Sequence, residues 1–152
     1  MTTTEPPASL GATSLSQPLY GASLGAAFTR FFRKYATFSG RASRSEFWWW
    51  FLISIIVEAI FYIIGTVAGG IYGSTVDGQL TLGPGYGIYE TLAIIYALAV
   101  IVPTLALVWR RLHDTNRSGG FYFLGLIPFV GGIIVLVFFL LGPNPAGARF
   151  DK

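Results

Sequence analysis

The sequence predicts an all-α membrane protein, a small bundle of three transmembrane helices preceded by an interfacial amphipathic helix. Three observations point there. Apolar runs occupy Phe47–Gly69, Ile88–Trp109 and Phe121–Leu141, and at about 1.5 Å rise per residue each is long enough for a hydrocarbon core of roughly 30 Å. The composition is 53% hydrophobic and only 11% charged, whereas a soluble globular domain carries about 25% charged residues. Basic residues flank the runs unevenly: five precede the first, none separates the first from the second, and three separate the second from the third.

Residues 1–27 are rich in Thr, Pro, Ser, Gly and Ala, with Glu5 as their only charge. They hold too little apolar surface to offset ordering entropy, which predicts a disordered tail. They also lack the basic start and continuous apolar core of a signal peptide. The membrane domain then covers 28–152. Phe28, Phe31, Phe32 and Tyr35 recur at helical spacing with Arg30, Arg33 and Lys34 to another side, the pattern of a helix lying on a membrane surface. Ser39-Gly40 offers a break. Ser43 and Glu46 form the S-x-x-E capping pattern, which starts the first helix at about residue 44.

The predicted spans are therefore 44–69, 88–109 and 121–141. Gly70–Gly87 reads as a loop with a short hairpin, carrying Asp77 and no Lys or Arg. Gly65/Gly69 and Ala93/Ala97 have the small-xxx-small spacing that lets helices approach. Trp48–Trp50 and Trp109 suit an aromatic belt. Pro103 predicts a kink in the second span. Pro128 and Gly131-Gly132 interrupt the third run and raise a re-entrant alternative, but its 21 residues suffice for a plain crossing, the favoured expectation. The positive-inside rule puts the N-terminus and the Arg110–Gly120 loop in the cytoplasm and residue 78 outside. Three crossings would then leave the C-terminus outside.

Several chemistries are excluded early. The chain has no cysteine and one histidine, His113, so no disulfide, thiolate metal site or multi-histidine site forms within it. It carries no phosphate loop or dinucleotide fingerprint. No cofactor or metal is expected. The net charge of +3 is taken to report topology rather than a nucleic-acid partner.

The polar residues that remain fall in two places. Arg41, Arg44 and Glu46 stand at the start of the first span, and Arg110, Arg111, His113, Asp114 and Arg117 just past the end of the second. A helix entering from one face and a helix returning to it bring these groups to one depth. Orientation alone requires only Lys or Arg. The interleaved acids predict interhelix ion pairs, joining Glu46 or Asp114 to Arg41, Arg110 or Arg117. Arginine forks at an interface also suit the phosphate of an anionic lipid headgroup. His113 and Asp114 could serve as base and orienting carboxylate, but adjacent side chains diverge. Ser118 is expected to cap the third span rather than attack a substrate. Glu58, in the middle of the first span, is an intramembrane acid and a functional candidate by position. It is expected to be protonated and hydrogen-bonded to Tyr96 or Thr104.

Two segments resemble a known family. Phe38-Ser-Gly-Arg-Ala-Ser-Arg-Ser-Glu-Phe-Trp48 is similar to an opening motif F-x-G-R-x-x-R-x-E-[FY]-W. Arg110-Arg-Leu-His-Asp-Thr-Asn-Arg-Ser-Gly119, followed by Leu126-Ile-Pro-Phe-Val-Gly131, resembles RRLHD-x-x-RS…LIP-x-[VI]-G. Gly142-Pro-Asn-Pro, followed by Arg149-Phe150, resembles the family's Gly/Pro/Asn-rich ending. This is the domain of unknown function 805 family, the YhaH-like bacterial inner-membrane proteins. The resemblance covers about residues 28–152 and leaves out the tail and Glu58. It implies residence in the bacterial cytoplasmic membrane and no activity.

The leading expectation is a structural or adaptor protein, not an enzyme. Its cytoplasmic-face cluster would lock the bundle and contact anionic phospholipid or a partner, either a second copy or another membrane protein. The alternative is a subunit of an oligomeric transporter or channel using Glu58. A lipid-headgroup enzyme acting through His113 and Asp114 ranks third.

Overall fold

The computed structural model describes residues 14–76 and 79–151. The first 13 residues of the predicted tail, the loop positions Asp77 and Gly78, and the terminal Lys152 lie outside the described residues. The elements are α1 (Leu24–Arg33), α2 (Arg44–Val67), β1 (Tyr72–Val76), β2 (Gln79–Leu82), α3 (Pro84–Asp114) and α4 (Gly131–Leu140), with 3-10 segments at Gly119–Leu126 and Pro145–Phe150.

Helix α2 begins where its capping pattern places it, with both arms of the Ser43–Glu46 capping box formed. Helices α2 and α3, of 24 and 31 residues, are long and apolar enough to cross a membrane. Their outer faces would be costly in water: Val67 is 82% exposed and Leu98 70%. An antiparallel hairpin, β1 with β2, joins them, and Pro84 occupies the first turn of α3, where its missing N–H costs nothing. The tight crossing falls at Gly65, as small-residue spacing suggests. Its partner is Gly85, where an added methyl group would sit 1.8 Å from the Gly65 carbonyl oxygen. Ala97 is exposed and takes no part in that crossing. Helix α3 runs on through Pro103.

The third apolar run, predicted as a span at 121–141, does not form one continuous helix. Its first part is the 3-10 segment ending at Leu126. Pro128 forces the preceding Ile127 into extended backbone at ψ 119°, and the chain turns at Phe129, whose φ is +65°. The ten residues of α4 rise about 15 Å, half of a hydrocarbon core. Gly131 fits because a methyl group there would lie 2.0 Å from the Leu124 carbonyl oxygen. The result is a short apolar hairpin whose tip exposes Leu126 (79%) and Phe129 (98%). The C-terminal segment is also tied to the helix ends at the charged end of the molecule. The Asn144 amide donates to the Asp114 carbonyl at 2.8 Å, and the Gly40 amide to the Phe150 carbonyl at 2.8 Å. The C-terminal segment thus returns to the end of the molecule where α2 starts and α3 stops.

The boundary of the tail also moves. Residues 14–23 lie across the start of α2: the Arg41 amide donates to the Ser16 carbonyl at 2.9 Å, the Leu19 amide to Glu46 at 3.0 Å and the Ala22 amide to Ser45 at 2.9 Å. Side chains of the capping turn thereby satisfy backbone that an apolar count would leave to water. Ser23 caps α1. Helix α1 is amphipathic, with Phe28 and Phe32 exposed; of the three expected outward cations only Arg33 is exposed. Arg30 and Lys34 are buried, 8% and 1% exposed, because Glu46 lies beneath them. Phe31 stacks on Trp50. The packed core, including Phe31, Phe47, Trp50, Leu112 and Phe139, therefore sits at the charged end of the molecule.

Candidate functional site

The N-terminus of α2 and the C-terminus of α3 are tied directly, the Ala42 amide donating to the Arg110 carbonyl at 3.0 Å. Around this contact the sequence's charged residues form two ionic knots. In the first, Arg30 Nε donates to Glu46 Oε1 at 2.6 Å. Glu46 Oε2 accepts from the Ser43 and Leu19 amides at 2.9 and 3.0 Å. In the second, Asp114 Oδ2 accepts from Arg111 Nη1 at 2.7 Å and Oδ1 from the Tyr20 hydroxyl at 2.8 Å. Arg41 lies 3.9 Å from the same carboxylate and is held on Asp151, with Nη2 to Oδ2 at 2.6 Å and Nε to Oδ1 at 2.8 Å.

Arg111 does a second task. Its Nη2 donates to the Phe139 carbonyl at 3.0 Å and to that of Leu141, and its Nε to Phe139 at 3.3 Å. The last carbonyls of a helix have no partners within it. One buried guanidinium therefore satisfies the end of α4 and neutralises Asp114.

Some predicted pairings are made and others are not. Arg41 meets Asp114. Arg110 does not meet an acid: its Nε donates to Ala106 of its own helix at 3.1 Å, and its buried Nη2 has no hydrogen-bond partner among the described residues. Arg117 lies over the Phe138 ring at 4.3 Å and donates to the Thr115 carbonyl at 3.0 Å. Arg44 is exposed and has neither ion pair nor hydrogen bond among the described residues. His113 Nδ1 donates to the Gly40 carbonyl at 3.0 Å, and the ring stacks on Phe150 at 4.0 Å. Asp114 is engaged elsewhere and does not orient that imidazole. Ser118 caps the 3-10 segment, accepting from the Gly120 amide at 3.4 Å.

Glu58 is half-buried in the middle of α2 and finds no hydrogen-bond partner among the described residues. The expected bond to Tyr96 goes elsewhere. The Tyr96 hydroxyl donates to Ser54 at 3.1 Å, one turn nearer the charged end.

Sequence reasoning missed Tyr20, Arg30, Lys34 and Asp151. Tyr20 stood in the supposed tail and Asp151 after the Gly/Pro/Asn-rich ending, so neither was placed near the cluster. The signal for Arg30 was Glu46 one helix away, whose expected partners were Arg41, Arg110 and Arg117 instead. Lys34 is the most unusual member. Its Nζ is buried without a hydrogen-bond partner among the described residues. Burial, and then the Arg110 charge, push its pKa down to about 7. Burial and the bond to Asp114 push the Tyr20 phenol up to about 12. The Asp151 carboxylate raises the Arg41 guanidinium above its ordinary value.

A family model described as "Protein of unknown function (DUF805)" matches residues 35–152. The chain belongs to the DUF805 family. The match takes in the whole Arg41–Arg117 cluster and Asp151 but neither Tyr20 nor Arg30. The DUF805 chain is 42% identical over 120 residues to inner membrane protein YhaI of Escherichia coli (strain K12), covering 79% of this chain and 87% of the relative. It is 33% identical over 123 residues to inner membrane protein YhaH of the same strain, covering 81% and 91%. No solved structure matches it. With its two long apolar helices and this family membership, the DUF805 chain is an inner-membrane protein.

Proposed function

We propose that this DUF805 protein is a structural or adaptor protein of the bacterial inner membrane whose ionic knots lock together the cytoplasmic end of a two-span bundle. The N-terminal segment, the turn after α3 and the C-terminal segment share the cytoplasmic face, and the hairpin ending in α4 enters the bilayer without crossing it. Supporting this orientation, the described Lys and Arg residues lie in α1, around the start of α2, or from Arg110 onward; none lies near the β hairpin.

One observation carries the locking role. The buried Asp114 carboxylate joins α3 to Tyr20 of the N-terminal segment and, through Arg111, to the end of α4, with Arg41 of the α2 approach beside it. Removing one member of such a knot leaves uncompensated charge in a site shielded from water, at a cost of about 3–5 kcal/mol, against less than about 1 kcal/mol for an exposed pair. Asp114→Ala and Glu46→Ala should each lower thermal stability in detergent far more than Arg149→Ala. Arg30→Met combined with Glu46→Leu should cost less than the sum of the two. If both acids are as dispensable as Arg149, the cluster serves orientation alone.

A further inference from the structure

Arg44 is the member of the predicted cluster that the knots leave out. It stands at the first position of α2, exposed, where two cavities meet. One is polar, about 290 Å³, lined by Tyr20, Ser43, Arg44, Ser45, Asp114 and Pro143 among others. The other is an apolar cleft of about 480 Å³ between α2 and α4, lined by Arg44, Ser45, Trp48, Trp49, Leu52 and Leu140. Both share Arg44 and Ser45.

We propose that this pair of cavities binds a single anionic glycerophospholipid, with the phosphate on the Arg44 guanidinium, the rest of the headgroup in the polar cavity and one acyl chain along Trp48, Leu52 and Leu140. The proposal rests on the reading that this end of the bundle faces the headgroup layer. Three features carry it. First, Arg44 has an uncommitted guanidinium fork, which suits phosphate oxygens. Second, the acid in the polar cavity does not compete for it, because the Asp114 oxygens are occupied by Tyr20 and Arg111, with Arg41 beside them. The positive end of the α2 dipole adds to the attraction. Third, the chemistry changes from polar to apolar in the right direction. From Arg44 to Leu52 the helix descends about 12 Å, the depth at which a lipid passes from phosphate into its acyl chain. A free phosphate would use only the upper cavity.

Phosphatidylglycerol added to the detergent-purified full-length protein, followed by thermal unfolding on tryptophan fluorescence, tests this. It should raise the melting temperature by several degrees, whereas glycerol 3-phosphate and uncharged diacylglycerol at the same concentration should not. Arg44→Gln should weaken the apparent affinity for phosphatidylglycerol by about tenfold or more. Leu140→Trp, which fills the cleft, should weaken it similarly, and Arg149→Gln should leave it unchanged. An Arg44→Gln protein that responds like the parent overturns the proposal. So does glycerol 3-phosphate acting as strongly as the lipid, which would make this a site for a free anion. Either result leaves the ionic lock standing, because the lock is read from the baseline stability of the Asp114 and Glu46 variants without added lipid.

Discussion

Tyr35 repairs the hydrogen bond that Pro103 removes from α3. Proline has no backbone N–H, so the carbonyl four residues earlier, that of Ala99, loses its helical donor. The Tyr35 hydroxyl donates to that oxygen at 2.6 Å. The segment after α1 is thereby fastened to the middle of α3, and α3 runs on through its proline. An aromatic residue placed by its spacing on the apolar face of α1 serves through its polar tip.

Tyr35→Phe should therefore destabilise the protein by about 0.5–1.5 kcal/mol, the range for losing one hydrogen bond at an exposed face. Pro103→Ala restores an N–H to the helix, so in that background Tyr35→Phe should cost much less. Thermal unfolding of the four proteins gives the coupling, and strict additivity would show that the two residues act independently.

The absence of cysteine makes single-cysteine labelling a direct test of topology. Ser118→Cys and Ala148→Cys should react with a membrane-impermeant maleimide only after the cells are opened, and Thr75→Cys in intact cells. Phe129→Cys, at the hairpin tip, should resist labelling from both sides. Labelling of residue 148 in intact cells would mean that the third apolar run crosses the membrane after all.

Two groups, the buried Lys34 and the more exposed Tyr20, predict opposite pH limbs. The folded-state pKa of Lys34 is about 7, against an ordinary 10.5. Between these values the unfolded chain holds a proton that the folded chain lacks, so stability rises with pH. For Tyr20 the folded value is about 12 against 10.0. There the folded chain keeps the proton and stability falls as pH rises through that window. Melting temperatures should climb from neutral pH and decline in strong alkali. Lys34→Met should flatten the rise and Tyr20→Phe the decline; an unchanged profile in either variant removes that residue from the account.

Gly85 and Gly87 lie two positions apart in α3 and should answer oppositely to alanine. A methyl group on Gly85 would collide with the Gly65 carbonyl, whereas one on Gly87 meets nothing within 4 Å. Gly85→Ala should destabilise by about 1–3 kcal/mol through overpacking. Gly87→Ala should stabilise by up to about 1 kcal/mol, since alanine is the better helix former. Similar effects at both sites would place the helix crossing elsewhere.

The features legible in the sequence are those that depend on near neighbours. Helix α2 starts at its capping box because Ser43 and Glu46 act within one turn. The two spans follow from unbroken apolar length. Arg41 and Asp114 meet because two long helices joined by a hairpin bring the start of one beside the end of the other. Lys34 was not legible as a buried cation, because its periodicity placed it on a solvated face and said nothing of what would pack over α1.

Sequence alone thus determined the membrane class, the two long apolar helices and the charged end where they meet. Only the tertiary structure decided that Phe121–Leu141 folds as a short hairpin and not as one helix. Hydropathy measures how apolar a segment is, and a half-depth hairpin satisfies that measure as well as a span does. The choice rests on Pro128 and Gly131 bending the chain and on Arg111 of another helix capping the end of α4. The partners of the acids were settled at the same level. Long side chains on segments far apart in sequence compete for each carboxylate, and the distances that choose Arg30 for Glu46 and Tyr20 for Asp114 exist only once the chain has packed.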